Sequence, residues 1–207
     1  MFNSGFIESG YDPNDLILDN NYKNTEKIPN YYDFTKFQGI KAKDQRNTMK
    51  CVPFSLSTMI ESRKKLDGID YSMNIDDIYD NRPGNTDGMM IRDALMYMKS
   101  VGFCENDSTN REQILTYGKL NSEIAIKASI YMNGPCIMAL PVYDSTKEDF
   151  WNGSLFEGGH AIACVGYDDE GFILMNSWGS GFGFGGKCIL PYTDLNKMLE
   201  CWTLILK

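Results

Sequence analysis

The stretch that decides the reading is Gly158-Gly159-His160-Ala161-Ile162-Ala163-Cys164-Val165-Gly166-Tyr167, followed by Asn176-Ser177-Trp178-Gly179. His160 is the only histidine among 207 residues. Residues 160–167 and 172–176 are rich in β-formers, and Asp168-Asp169-Glu170-Gly171 separates them as a turn would. A hairpin centred on residue 168 pairs positions summing to 336, so it sets His160 opposite Asn176. An amide facing an imidazole fixes its tautomer and orientation, which is what an acid–base catalyst needs.

A partner for that imidazole lies upstream. From Cys51 to Leu66 apolar side chains fall at 52, 56, 59, 60 and 66, the spacing of a helix. Pro53 fits its first turn, and Asn47 or Thr48 is the expected cap. Cys51 then sits among unpaired amide hydrogens at the positive end of the helix dipole. There a thiolate is favoured, more so beside an imidazolium. A thiolate attacks a carbonyl carbon and generates an oxyanion. Gln45, six residues before Cys51, and the Cys51 amide are the candidate donors to it.

Composition narrows the field. The chain is 43% hydrophobic with 13% aromatics, enough for one sizeable core or two small lobes. A net charge of −8 and scattered cations argue against nucleic acid, and no apolar run has transmembrane length. The six cysteines include no C-x-x-C pair, and one histidine offers no zinc spacing, so no metal and no cofactor are expected. The amino terminus lacks the features of a secretory signal. Reduced thiols and a cytoplasmic setting are therefore expected, in a host cytoplasm or a virion if the chain is phage-encoded. Residues 1–30 read as an irregular polar arm. Helices are expected at 51–66, 75–79, 91–101 and 121–133, with Asn121 capping the last. Strands are expected at 136–140, 160–167, 172–176, 187–190 and 201–206. Helices first and strands later predict an α+β protein of two lobes. The glycine-rich loop 179–186 precedes no helix and is not a phosphate cradle.

The segment Lys43-Asp44-Gln45-Arg46-Asn47-Thr48-Met49-Lys50-Cys51-Val52-Pro53-Phe54-Ser55 resembles the active-site segment of papain-family cysteine peptidases. Gly158-Gly159-His160-Ala161 and Asn176-Ser177-Trp178-Gly179 resemble that family's histidine and asparagine motifs, in the same order and 16 residues apart. Asp87-Gly88-Met89-Met90-Ile91 resembles the edge of its substrate cleft, and Gly10-Tyr11-Asp12-Pro13-Asn14-Asp15 the short leader of bacterial and viral members without a long propeptide. The resemblance covers about residues 30–207. It implies a papain-like two-lobe fold of class α+β, with a helical lobe mainly at 40–120, a β-barrel-like lobe mainly at 121–207, and a cleft between them. Residues 28–207 then form the peptidase domain; for residues 1–27 two readings stand, an arm that folds back to restrain the cleft and a disordered or strand-adding arm.

The resemblance also implies roles. Cys51 is the nucleophile, His160 the base and then acid, Asn176 the orienting residue, Gln45 an oxyanion donor, and Trp178 a shield over the His–Asn contact. Gly88, Met89, Met90, Ile91, Cys136 and Ala161 line the substrate cleft and its apolar pocket. The chain departs from the family where Thr48 replaces a cysteine and Val52-Pro53 replaces Trp-Ala, and Met89 stands where a second glycine is common. The function implied is a monomeric thiol-dependent endopeptidase acting on peptides or proteins, without nucleic acid or membrane partners. Two other readings use the same residues: an inactive scaffold, inhibitor or virion part, and another acyl transfer such as transpeptidase, isopeptidase or amidase chemistry.

Overall fold

The structure, a computed structural model, describes residues 4–22 and 28–207. Among the described residues five α-helices and nine strands follow one another. They are β1 (Phe6–Ile7), β2 (Tyr32–Asp33), α1 (Phe34–Gln38), α2 (Cys51–Leu66), α3 (Ile75–Asp80), β3 (Met89–Met90) and α4 (Ile91–Ser100). Then come β4 (Ile114–Lys119), α5 (Glu123–Asn133), β5 (Cys136–Val142), β6 (Gly158–Tyr167), β7 (Gly171–Met175), β8 (Lys187–Pro191) and β9 (Glu200–Leu206). Helices dominate the front and strands the rear, as α+β patterning predicts.

Strands β5, β6 and β9 run side by side, and their alternate residues serve two cores. Ile137, Ala139, Ala161 and Trp202 face the helical side, with Leu56, Ile60, Leu95 and Phe103. Met138, Leu140, Ile162, Cys164 and Cys201 face the other side, with Phe150, Phe172 and Leu190. Burial on both faces is why these strands read as continuous apolar runs. Helix α2 lies across this sheet, with Cys51, Val52, Leu56, Met59 and Ile60 buried. Its Ser55 Oγ donates to the Ala161 carbonyl at 3.0 Å, tying the helix to β6.

Several expectations need correction. The β6–β7 register pairs Ala163 with Met175 and Tyr167 with Phe172, so the positions sum to 338 and then 339. Two local causes move it. The Asp168 side chain accepts the amides of Glu170 and Gly171, setting the turn further on, and a bulge falls between Cys164 and Gly166. Neither Asn47 nor Thr48 caps α2; Lys50 stands at the N-cap with no side-chain bond. Thr48 Oγ1 is bonded to the Gln45 carbonyl instead. Ser122, not Asn121, caps α5, while the Asn121 amide donates to Asp19.

Most of the arm's described backbone is irregular, and β1 adds a strand to the sheet. Leu18 and Tyr22 lie in the same core cluster as Phe34 and Ile162. The arm's residues 1–3 and 23–27 lie outside the described residues.

Gly166 marks how closely β2 crosses β6. A Cβ there would stand 2.2 Å from the Tyr32 carbonyl oxygen. Gly166→Ala is expected to destabilise the fold by about 2 kcal/mol and to lower the melting temperature by about 5 °C, measured by calorimetry.

Candidate active site

His160 occupies the third residue of β6, directly opposite Leu140 on β5. Asn176 lies just beyond the end of β7, where its amide donates to the Gly186 carbonyl. Despite the shifted register the two meet: His160 Nε2 and Asn176 Oδ1 are 2.8 Å apart. The Ser177 amide also donates to Asn176 Oδ1, at 2.8 Å, so that atom must be the oxygen. It follows that His160 Nε2 carries the hydrogen and Nδ1 the lone pair. Among the described residues neither Nδ1 nor Asn176 Nδ2, both buried, has a hydrogen-bond partner.

Trp178 and Phe150 wall the imidazole, with ring centroids 4.4 Å and 5.7 Å from it. The Trp178 plane is tilted 31° from the imidazole. An open cavity of about 560 Å³ borders Trp178 together with Ser145, Thr146, Glu148 and Phe182.

Cys51 is the first residue of α2, and its thiol is within reach of the Ala161 and Gly5 amides. Cys51 and Ser55 stand one turn apart on the helix face that meets β6, next to His160 in sequence. Gln45 is buried and held on three sides. Its amide donates to the Ser177 carbonyl at 2.7 Å, its Nε2 to the Thr48 carbonyl at 2.7 Å, and its Oε1 accepts from Ser177 Oγ at 2.6 Å. The segments around Gln45 and Asn176 are thereby laced together, helped by a bridge between Asp44 and Trp178. Ser55 and Ser177 were not singled out from the sequence. Both lie inside the quoted motifs, but their bonding depends on which strand and helix come together.

The cleft residues divide. Met89 and Ala161 are buried beside Cys51 in the helical-side core, and Ile91 packs there too. Met90 is half-buried, and Gly88 donates its amide to the Tyr79 hydroxyl. Cys136 is not at the cleft. It points to the opposite face of β5, where its sulfur lies 3.6 Å from that of Cys201. All six cysteines are buried free thiols.

The arm fills the space between β3 and β6. Phe6 pairs with Met89 in parallel and with Gly159 in antiparallel fashion, making β1 the link in one sheet. The Met89 amide donates to the Gly5 carbonyl at 2.8 Å. A Cβ on Gly5 would stand 2.0 Å from the Met49 carbonyl oxygen, so only glycine passes here. Phe6 packs into the cluster that holds Cys51, Met89, Ala139 and Ala161.

Burial governs the electrostatics of both groups. Burial pushes the Cys51 thiol up to about 11, although the nearby backbone amides pull it down. Burial also drives His160 down to about 4, against the hydrogen bond it donates to Asn176 Oδ1. In the covered state burial therefore works against the thiolate expected at neutral pH and favours the neutral thiol and neutral imidazole. The helix dipole cannot offset the loss of solvent from both groups.

Among the described residues no cluster of three or more His, Cys, Asp or Glu side chains is arranged to hold a metal, and no helix is long and apolar enough to cross a membrane.

A 52-residue stretch is 40% identical to an uncharacterized peptidase C1-like protein, L477, of Acanthamoeba polyphaga mimivirus, and spans 23% of this chain and 17% of that protein's length. Xylellain, a cysteine protease from Xylella fastidiosa, superposes with a TM-score of 0.81 at 23% identity, over 99% of this chain and 96% of its own. A cysteine protease of Carica candamarcensis superposes at 0.72 with 19% identity, over 87% of this chain and all of its own. The family model described as papain family cysteine protease matches residues 28–194. The chain therefore belongs to the papain family of cysteine proteases, which are hydrolases, and its fold is the papain-like α+β fold.

Proposed function

We propose that this chain is a thiol-dependent endopeptidase whose Cys51 attacks peptide carbonyls. The observation that carries the reading is the fixed tautomer of His160. Asn176 Oδ1 holds the Nε2 hydrogen and leaves the Nδ1 lone pair on the strand that meets the start of α2. Nδ1 accepts the thiol proton as Cys51 attacks, then returns it to the leaving amine. Water hydrolyses the resulting thioester with His160 again as base. Gln45 Nε2 and the Cys51 amide stabilise the oxyanion. The lacing of Gln45 to Ser177 supports this role, because preorganised donors need no rearrangement at the moment of reaction.

A peptide substrate takes the place of β1. The free edges of Met89 and Gly159 then offer its main chain the same ladder, and the Phe6 site offers an apolar pocket. In the covered state the arm restrains the enzyme through Gly5 and Phe6, which lie against Cys51.

The test is hydrolysis of a fluorogenic peptide with an apolar residue for the Phe6 site, followed by an epoxide that alkylates thiols. Turnover blocked by a single label on Cys51 supports an endopeptidase. Labelling without turnover favours another acyl transfer, and neither favours an inactive scaffold. Gln45→Ala is expected to lower kcat by about 100-fold with KM little changed, the scale seen when one oxyanion donor is removed.

A further inference from the structure

Beyond Phe6 the arm is held by charges that the reaction does not use. The Arg92 guanidinium, in the first turn of α4, grips Asp15 through two parallel bonds, Nε to Oδ1 at 2.8 Å and Nη2 to Oδ2 at 2.6 Å. It also donates to the Ser9 carbonyl and, at 2.7 Å, to the Gly10 carbonyl. Lys119 Nζ, at the end of β4, reaches Asp15 Oδ2 at 3.0 Å. Glu200 accepts the Ser9 amide on one oxygen and the Trp202 indole hydrogen on the other, at 2.6 Å.

This is a built site. Asp15, Arg92 and Lys119 side chains are only 8%, 13% and 19% exposed. Both cations lie over the Trp202 ring, at 5.9 Å and 4.9 Å. It is also continuous with the groove: Glu200 pairs with Ala139, and Arg92 follows β3 by two residues. When a substrate displaces the arm, these side chains lose the arm's main-chain and carboxylate groups together. Arg92 and Lys119 are then left without the carboxylate that they share in the closed state. A bidentate guanidinium beside an ammonium is suited to a carboxylate. Glu200 and Arg92 supply the acceptor and donor that position a main chain alongside it.

We propose that Arg92, Lys119 and Glu200 form a docking site for a peptide segment bearing one acidic side chain. Asp15 fills it in cis, and a polypeptide with Asp or Glu at the matching place fills it in trans. The proposal rests on the reading that the groove opens for substrate, and it adds a preference for acidic segments outside the apolar pocket.

The test uses the full-length Asp15→Asn protein, in which the cis ligand is weakened. Fluorescence anisotropy compares two labelled peptides, one with the sequence of residues 4–19 and one with the Asp15→Asn change. The acidic peptide is expected to bind at least about 10-fold more tightly, the worth of a charge-assisted bidentate contact. That preference is expected to vanish when Arg92→Met or Lys119→Met is added. Having both variants guards against one that fails to fold. Equal binding of the two peptides, or binding of neither, overturns the proposal. Peptide turnover is read separately. A preserved acidic preference in a protein that hydrolyses nothing would refute the peptidase reading while leaving the docking site standing.

Discussion

Cys51→Ala is expected to abolish peptide hydrolysis, lowering kcat by about 10⁶-fold, the loss found when the nucleophile is removed from a Ser-His site. The magnitude follows from what the sulfur does. No other side chain replaces it, because the remaining cysteines lie in other parts of the interior, four of them on the far face of the central sheet. The substitution removes one buried sulfur at a helix start, so the fold should persist with a small loss of stability. Active-site titration with a thiol-directed epoxide should then show no covalent label, while circular dichroism stays unchanged. Residual turnover near the starting rate would mean that a different group attacks. Asn176→Ala should cost less activity but more stability. It leaves the His160 Nε2 hydrogen buried without its acceptor, at about 1–3 kcal/mol, and frees the ring to adopt the other tautomer.

Phe6→Asp is expected to raise the rate at which Cys51 is alkylated by at least about 100-fold. The wild-type thiol lies under Gly5 and Phe6, fully buried, with its pKa pushed up to about 11. Removing a buried phenyl ring costs about 3 kcal/mol or more, and a buried carboxylate adds to that, so the arm's closed state loses at least that factor in population. Once uncovered, the thiol regains solvent and the helix dipole, which lowers its pKa and compounds the effect. An unchanged alkylation rate, followed by intact mass, would mean the arm does not guard the sulfur.

The same cover has a pH signature. His160 is held at about 4 in the covered state against an ordinary value near 6.5. The proton therefore prefers the uncovered imidazole, and the closed state is favoured fully above pH 6.5. As pH falls from 6.5 towards 4 that advantage is lost, by about 3 kcal/mol at the end of the window. A reagent that attacks thiols in acid, such as dithiodipyridine, should find Cys51 progressively more accessible across that window. In the Phe6→Asp protein the dependence should flatten. Asp15 does not share this window. Burial raises its carboxyl, but Arg92 and Lys119 outweigh that and hold it below its ordinary range, so the docking contact outlasts the His160 transition.

The sequence by itself determined the residue types and their local settings. A cysteine opening a helix, a histidine within a β-forming run and an asparagine at the end of the next such run follow from patterning, because periodicity and chain breaks act over a few residues. The α+β class follows in the same way from the order of those elements. Tertiary structure alone decided the rest. The β6–β7 register depends on one bulge and on the Asp168 turn, and hydrophobic alternation does not report either. Cys136 lies on the face away from the cleft, and a strand buried on both sides carries no polar alternation to show which face a residue takes. The two-residue strands β1 and β3 are too short for any period to mark, so the closure of the groove by Gly5 and Phe6 was legible only as an arm. Asp15, Arg92, Lys119 and Glu200 lie up to 185 residues apart. Each reads alone as a solvated charge, and only folding brings them within hydrogen-bond reach, where loss of water makes their pairing selective.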